Sequence, residues 1–218
     1  MTNNHEYYLT YVYSEHSIPN RFRETYRKPK EFVKYYEDNF ILIQAPPNNG
    51  KTHWCFDYIK ARLKWVKNYD KAIARLDEEC EKIPTEFWYG DNQQEGRIWV
   101  ISEEDEKRLD HYEKQKSYCS NNLYVDWKSF YRDYHKWTND EQAYFRNKIA
   151  HFTNGLVVLD DLPCFETQAQ KDLFHAVIND RYMFDLPTVL VTQYELEVWE
   201  DSVLPETMRR INEICRKI

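Results

Sequence analysis

"FILIQAPPNNGKTHW", residues 40–54, decides how the rest of the chain is read. Phe40 to Gln44 is a short apolar run ended by Ala45-Pro46-Pro47-Asn48-Asn49-Gly50, which predicts a buried strand entering a tight loop. From Thr52 to about Glu81 apolar residues such as Phe56, Ile59, Leu63 and Val66 recur at helical spacing. Strand, loop and helix in that order are what a phosphate-holding loop requires. Its backbone N–H groups converge on phosphate oxygens at a helix N-terminus, a lysine meets the outer phosphates, and a hydroxyl meets magnesium.

Gly50, Lys51 and Thr52 supply the end of the G-x-x-x-x-G-K-[ST] pattern. Ala45 replaces the first glycine, and Asn48 and Asn49 stand where glycines are frequent; asparagine tolerates positive φ better than most residues. Phosphate contacts are therefore expected along Ala45, Pro46, Pro47, Asn48, Asn49, Gly50, Lys51, Thr52 and His53, with Lys51 also acting catalytically and Thr52 on the metal. The competing reading is a structural turn with a solvated Lys51.

Working outward, "GLVVLDDL", 155–162, is a continuous apolar run closed by two carboxylates, the form of a strand buried on both faces whose tip leaves the sheet. Asp160 is placed to hold a magnesium shell and Asp161 to orient an attacking water. "TVLVTQ", 188–193, repeats the form and ends on Gln193. "RIWVIS", 97–102, reads as another strand after a surface loop at 84–96. Charged helical segments are expected over much of 103–150. Helical stretches separate the strands, so a parallel α/β sheet flanked by helices is the expected architecture.

The 218 residues fit one domain, are 42% hydrophobic and 17% aromatic, and carry a net charge of −7. That balance excludes a disordered chain and a uniformly basic nucleic-acid coat, though not a local basic patch. Five scattered cysteines with no C-x-x-C and no zinc-like histidine spacing predict free thiols in a reducing, cytoplasmic setting. No apolar run approaches membrane-spanning length, and the N-terminus does not read as an export signal.

"DWKSFYRDYHKW", 126–137, interleaves aromatic and basic residues. Trp127 and Tyr131 with Lys128, Arg132 and Lys136 could hold single-stranded DNA by stacking and phosphate contacts. The same spacing, 127, 130, 131, 134, 137, is also the buried stripe of an amphipathic helix. Arg181 reads as a member of a surface ion pair.

Four stretches give the sequence a family likeness. "SIPNRFRETY" (17–26), "GKTHW" (50–54), "VVLDDL" (157–162) and "AVINDRYMFDLPTVLVTQYELE" (176–197) resemble segments of the helicase-loader ATPases of the DnaC, DnaI and IstB type, which are AAA+ proteins. "ETMRRINEIC" (206–215) resembles their Ser-Arg-Ile helix, with Arg209 at the serine and Arg210 at the arginine.

The resemblance implies an AAA+-type P-loop NTPase domain over 40–218 with a helical insertion around 103–150; as departures from the family's pattern, no C-terminal lid domain is expected, and a lead-in segment over 1–39 stands in place of a helicase-binding domain. It implies ATP and Mg²⁺ as cofactors, with Gln193 where an asparagine usually senses the γ-phosphate. Arg210 would reach a neighbouring subunit's nucleotide in a homo-oligomer. Asp161 stands where such ATPases usually have glutamate, one methylene longer, so slow hydrolysis is expected. The implied partners are a replicative helicase and single-stranded DNA. Three alternatives stay open: an IstB-like transposition helper, a catalytically weak ATP-binding module, and the helicase domain of small viral replication initiators, whose loops also read like "PPNNGKT".

Overall fold

The computed structural model describes residues 9–12, 18–23, 40–80, 121–151 and 155–217. The strands are β1 (Leu9–Val12), β2 (Phe40–Gln44), β3 (Asn122–Asp126), β4 (Leu156–Leu162), β5 (Thr188–Thr192) and β6 (Arg216–Lys217). The helices are α1 (Asn20–Arg23), α2 (Lys51–Cys80), α3 (Trp127–Tyr134), α4 (Asn139–His151), α5 (Gln168–Met183), α6 (Leu196–Ser202) and α7 (Pro205–Ile214). The expected loop at 84–96 and strand at 97–102 lie outside the described residues.

The described strands form one sheet in the order β1-β3-β4-β5-β2-β6. β3, β4, β5, β2 and β6 run parallel, and β1 closes one edge antiparallel to β3. This is the expected α/β architecture with two additions. The lead-in segment is part of the fold, since Leu9–Val12 adds a strand and Ile18 and Phe22 are buried. The stretch expected to be helical contains β3, the second strand from one edge of the sheet.

Period-2 alternation divides the core between the two faces of the sheet. Ile41, Ile43, Leu156, Val158, Val189 and Val191 face α2 and α1, meeting Cys55, Phe56, Ile59 and Leu63. Leu42, Leu123, Val125, Val157, Leu159 and Leu190 face the opposite way, onto a core that includes Trp127, Phe130, Phe174, Val177, Trp199 and Ile211. Apolar residues on both sides explain why β4 and β5 read as unbroken apolar runs.

Local chemistry fixes the element ends. Asp126 caps α3 by accepting from the Ser129 amide at 2.9 Å. Thr167 and Gln170 form a reciprocal capping box at the start of α5. That helix stops where Asp185 takes a φ of 50° and the Leu186 amide returns to the Arg181 carbonyl at 2.9 Å. Gly155 is required by crowding, because a Cβ there would lie 2.2 Å from the Asn121 carbonyl oxygen.

Arg181 corrects the surface reading. It is 0% exposed, and its guanidinium donates to the carbonyls of Gly155 (2.9 Å), Pro187 (2.6 Å), Ile149 (3.1 Å) and Ala150 (3.4 Å) and to the Thr188 hydroxyl (2.7 Å). Burial lowers its pKa to about 9, and these acceptors fill its donor fork. The side chain therefore fastens the end of α4, the start of β4 and the turn into β5 to one another. Of the described helices, none is long and apolar enough to cross a membrane.

Candidate functional site

The site lies at the carboxyl ends of the parallel strands, where β2 hands over to α2. Asn48 has a φ of 65° and Gly50 a φ of 76°, so the two positions that turn the loop are ones whose residue types accept a left-handed backbone. Ala45 is buried and tied to the sheet by its amide, which donates to the Thr192 carbonyl at 3.2 Å. The Lys51 ammonium folds over the loop and donates to the carbonyls of Ala45 (2.9 Å) and Pro46 (2.8 Å). His53 sets its ring edge-on to Phe22 at 4.8 Å.

β5 separates β2 from β4, yet the first turn of α2 reaches across it. The Thr52 hydroxyl donates to Asp160 Oδ2 at 2.7 Å, joining residues 108 apart in sequence. Asp160 is 3% exposed. Its Oδ2 also accepts from the Tyr124 hydroxyl at 2.8 Å, and its Oδ1 accepts from the Asp161 amide at 2.8 Å. Burial and the neighbouring Asp160 charge push the Tyr124 hydroxyl far above its ordinary pKa, so it stays a donor.

Asp161 sits in a break of the β4–β5 register between Leu159 and Leu162, with a φ of 55°. A non-glycine residue held there stores about 1–3 kcal/mol of strain, and such strain gathers at functional positions. Burial raises its carboxyl above the usual range, Lys128 and Lys51 act against that rise, and Asp160 and Asp126 add to it. Gln193, half-buried, follows β5 directly and so stands between the loop strand and the strand of the twin acids.

The residues present fit magnesium. A hydroxyl and a carboxylate in contact are hard oxygen donors, and this ion usually takes one or two protein carboxylates together with substrate phosphates.

The nucleic-acid candidates divide. Trp127 is 0% exposed and packs its ring against Phe130 and Phe174, so the base-stacking role expected of it does not hold. Tyr131 is half-buried, stacked on Tyr134 and edge-on to His135. Lys128, Arg132 and Lys136 are exposed, the last two beside Asp133. The helix there is amphipathic, with the aromatics on its inner face.

Arg210 is half-buried on α7, with its guanidinium 5.6 Å from the Tyr182 ring centroid. Its neighbour Arg209 pairs with Glu213 at 2.7 Å on the surface. Two contributors escaped the sequence reading, Tyr124 and Phe22. For Tyr124 a signal existed: it lies two residues before Asp126, which pairs in register with Asp160, and so shares a sheet face with the acid.

No protein-family model matches the sequence, and no curated protein matches it significantly. Solved structures do resemble it. The DnaC helicase loader superposes with a TM-score of 0.47 at 16% identity, over 86% of this chain and 83% of that one. DnaI gives 0.44 at 16% identity, over 87% and 79%. AMPPCP-bound DnaA from Aquifex aeolicus gives 0.45 at 15% identity, over 94% of this chain and 50% of DnaA.

Proposed function

We propose that this chain is a magnesium-dependent, ATP-binding switch of the AAA+ helicase-loader kind, one that hydrolyses ATP slowly and acts in DNA replication by engaging a replicative helicase, single-stranded DNA or both. The observation that carries the nucleotide half is the 2.7 Å contact between Thr52 and Asp160 beside a loop with left-handed Asn48 and Gly50. A structural turn with a solvated lysine has no need of a buried carboxylate delivered from a strand two positions away.

In this reading the loop amides from Asn48 to Thr52 receive the phosphates and Lys51 neutralises the outer ones. Thr52 and Asp160 hold Mg²⁺, which when bound offsets charge on the phosphates. Asp161 orients water. Gln193 can donate to the outer phosphate from the end of β5. Arg210 completes a neighbour's site in an assembly. Lys128, Arg132 and Lys136 give α3 a basic outer face for DNA phosphates, without Trp127.

Titration with a fluorescent ATP analogue tests the nucleotide half: Lys51→Ala is expected to abolish saturable binding, and unchanged binding removes the proposal. Pull-down from the native host's extract with and without ATP tests the partner. A hexameric helicase supports the loader reading, a transposase the IstB-like one, and ATP-driven strand separation by the pure protein the viral-initiator one. Tight ATP binding with no phosphate release, even with DNA and partner present, selects the weak ATP-binding module.

A further inference from the structure

We infer that Tyr124, its ring held in an aromatic column that reaches Phe22, is a positioning residue for the metal-facing carboxylate of Asp160 through the hydrogen bond its hydroxyl donates. The inference rests on the nucleotide-binding reading above and adds to it a residue that no P-loop pattern contains.

Both oxygens of Asp160 are held, by donors from three elements. The Asp161 amide of β4 takes Oδ1, while Thr52 of α2 and Tyr124 of β3 share Oδ2 at 2.7 and 2.8 Å. Of the two side chains on Oδ2, Thr52 is the one that would also ligate magnesium. Tyr124 is then the donor whose only task there is to fix the carboxylate's orientation, which is what a hydrogen bond behind a metal ligand does.

Its placement follows from register. Tyr124 pairs with Val158 and Asp126 with Asp160, so Tyr124 and Asp160 are diagonal neighbours on one sheet face, within reach of a long side chain. The ring is held by stacking. Tyr124 lies 4.7 Å from Phe56 at 29°, Phe56 lies 4.7 Å from Phe22 at 18°, and Phe22 meets His53 edge-on at 4.8 Å. Phe22 belongs to α1, whose last turn is fixed in turn by Lys60, a buried residue of α2 that donates to the Phe22 carbonyl and to Asp57. A phenol wedged in this way delivers its hydroxyl with little remaining rotational freedom to lose.

Tyr124→Phe keeps the ring and its stack and deletes the hydroxyl alone, so the fold is retained and a urea unfolding curve verifies it. The assay is the affinity of the full chain for a fluorescent ATP analogue, measured in EDTA and again in millimolar Mg²⁺; the ratio is the gain due to metal. Tyr124→Phe is expected to cut that gain about tenfold, the usual size of such an effect. Asp160→Asn, the positive control, is expected to remove it. A gain equal to or above wild type in Tyr124→Phe, with Asp160→Asn still losing it, overturns the inference and leaves the nucleotide site standing. If Asp160→Asn keeps the gain and Lys51→Ala binds as wild type does, the nucleotide reading has failed and Tyr124 with it.

Discussion

Replacing Arg181 by methionine isolates what a buried, unpaired guanidinium contributes to this fold. Methionine fills much of the same space without donors, so the side-chain volume is largely conserved and the hydrogen bonds are not. Pro187 would still accept from the Val157 amide at 3.0 Å, and the Thr188 hydroxyl would still donate to Leu186 at 2.8 Å. The carbonyls of Ile149 and Ala150, in the last turn of α4, and that of Gly155 would lose the guanidinium. At about 1–3 kcal/mol for each buried acceptor left bare, partly offset by no longer burying a charge, the loss comes to about 3–6 kcal/mol. A domain of this kind has about 5–15 kcal/mol in all, so the variant should be marginal. Tryptophan fluorescence in a urea series reads the outcome: with a slope of about 2 kcal/mol per molar, the midpoint should fall by about 2 M. A fall of less than about 0.5 M would refute the reasoning, because it would mean that those carbonyls find water or other donors without cost.

Three further outcomes follow from the same geometry. Asp161→Asn should lower ATP turnover at least tenfold while ATP still binds, measured by phosphate release beside analogue titration, since the residue is assigned to water and not to the loop. Trp127→Ala should destabilise the chain by about 3–5 kcal/mol in urea unfolding, the range for emptying a large aromatic site in a core. Lys128→Ala should leave the unfolding midpoint alone and weaken single-stranded DNA binding, with a shallower salt dependence as its signature.

The shape of the loop between β2 and α2 was legible because its determinants are short-range. Strand, turn and helix are each encoded within a few residues, and of the two asparagines expected to tolerate a left-handed backbone, Asn48 has a φ of 65° while Asn49 keeps a negative φ. The helix expected from Thr52 to Glu81 runs from Lys51 to Cys80. The twin acids were visible because a strand buried on both faces leaves its polar tip as a sharp boundary.

What was missed depends on partners far away in sequence. β3 is five residues in a stretch of aromatics and charges, and only its pairing with β4 makes it a strand. β1 needs β3 in the same way. Arg181, beside Asp180, looks like half of a surface pair, and it is the closure of two distant turns around it that buries it. A signal was nonetheless present: Arg181 follows Val177 and Ile178 at the helical spacing of the buried face. The aromatic stripe of α3 was ambiguous because a row of rings facing a core and a row facing bases have the same period.

The attachment of Phe22 to Phe56 and of Lys60 to the Phe22 carbonyl bears on how the protein can be handled at the bench. A gene trimmed to begin at Phe40 would keep every residue of the recognised motif and yet strip the greasy cover from α2. The expected product is an insoluble fragment, easily mistaken for proof that the proposed ATP site is inactive. Affinity tags fused at the first residue, which leave Ile18 to Arg23 in place, should avoid that trap.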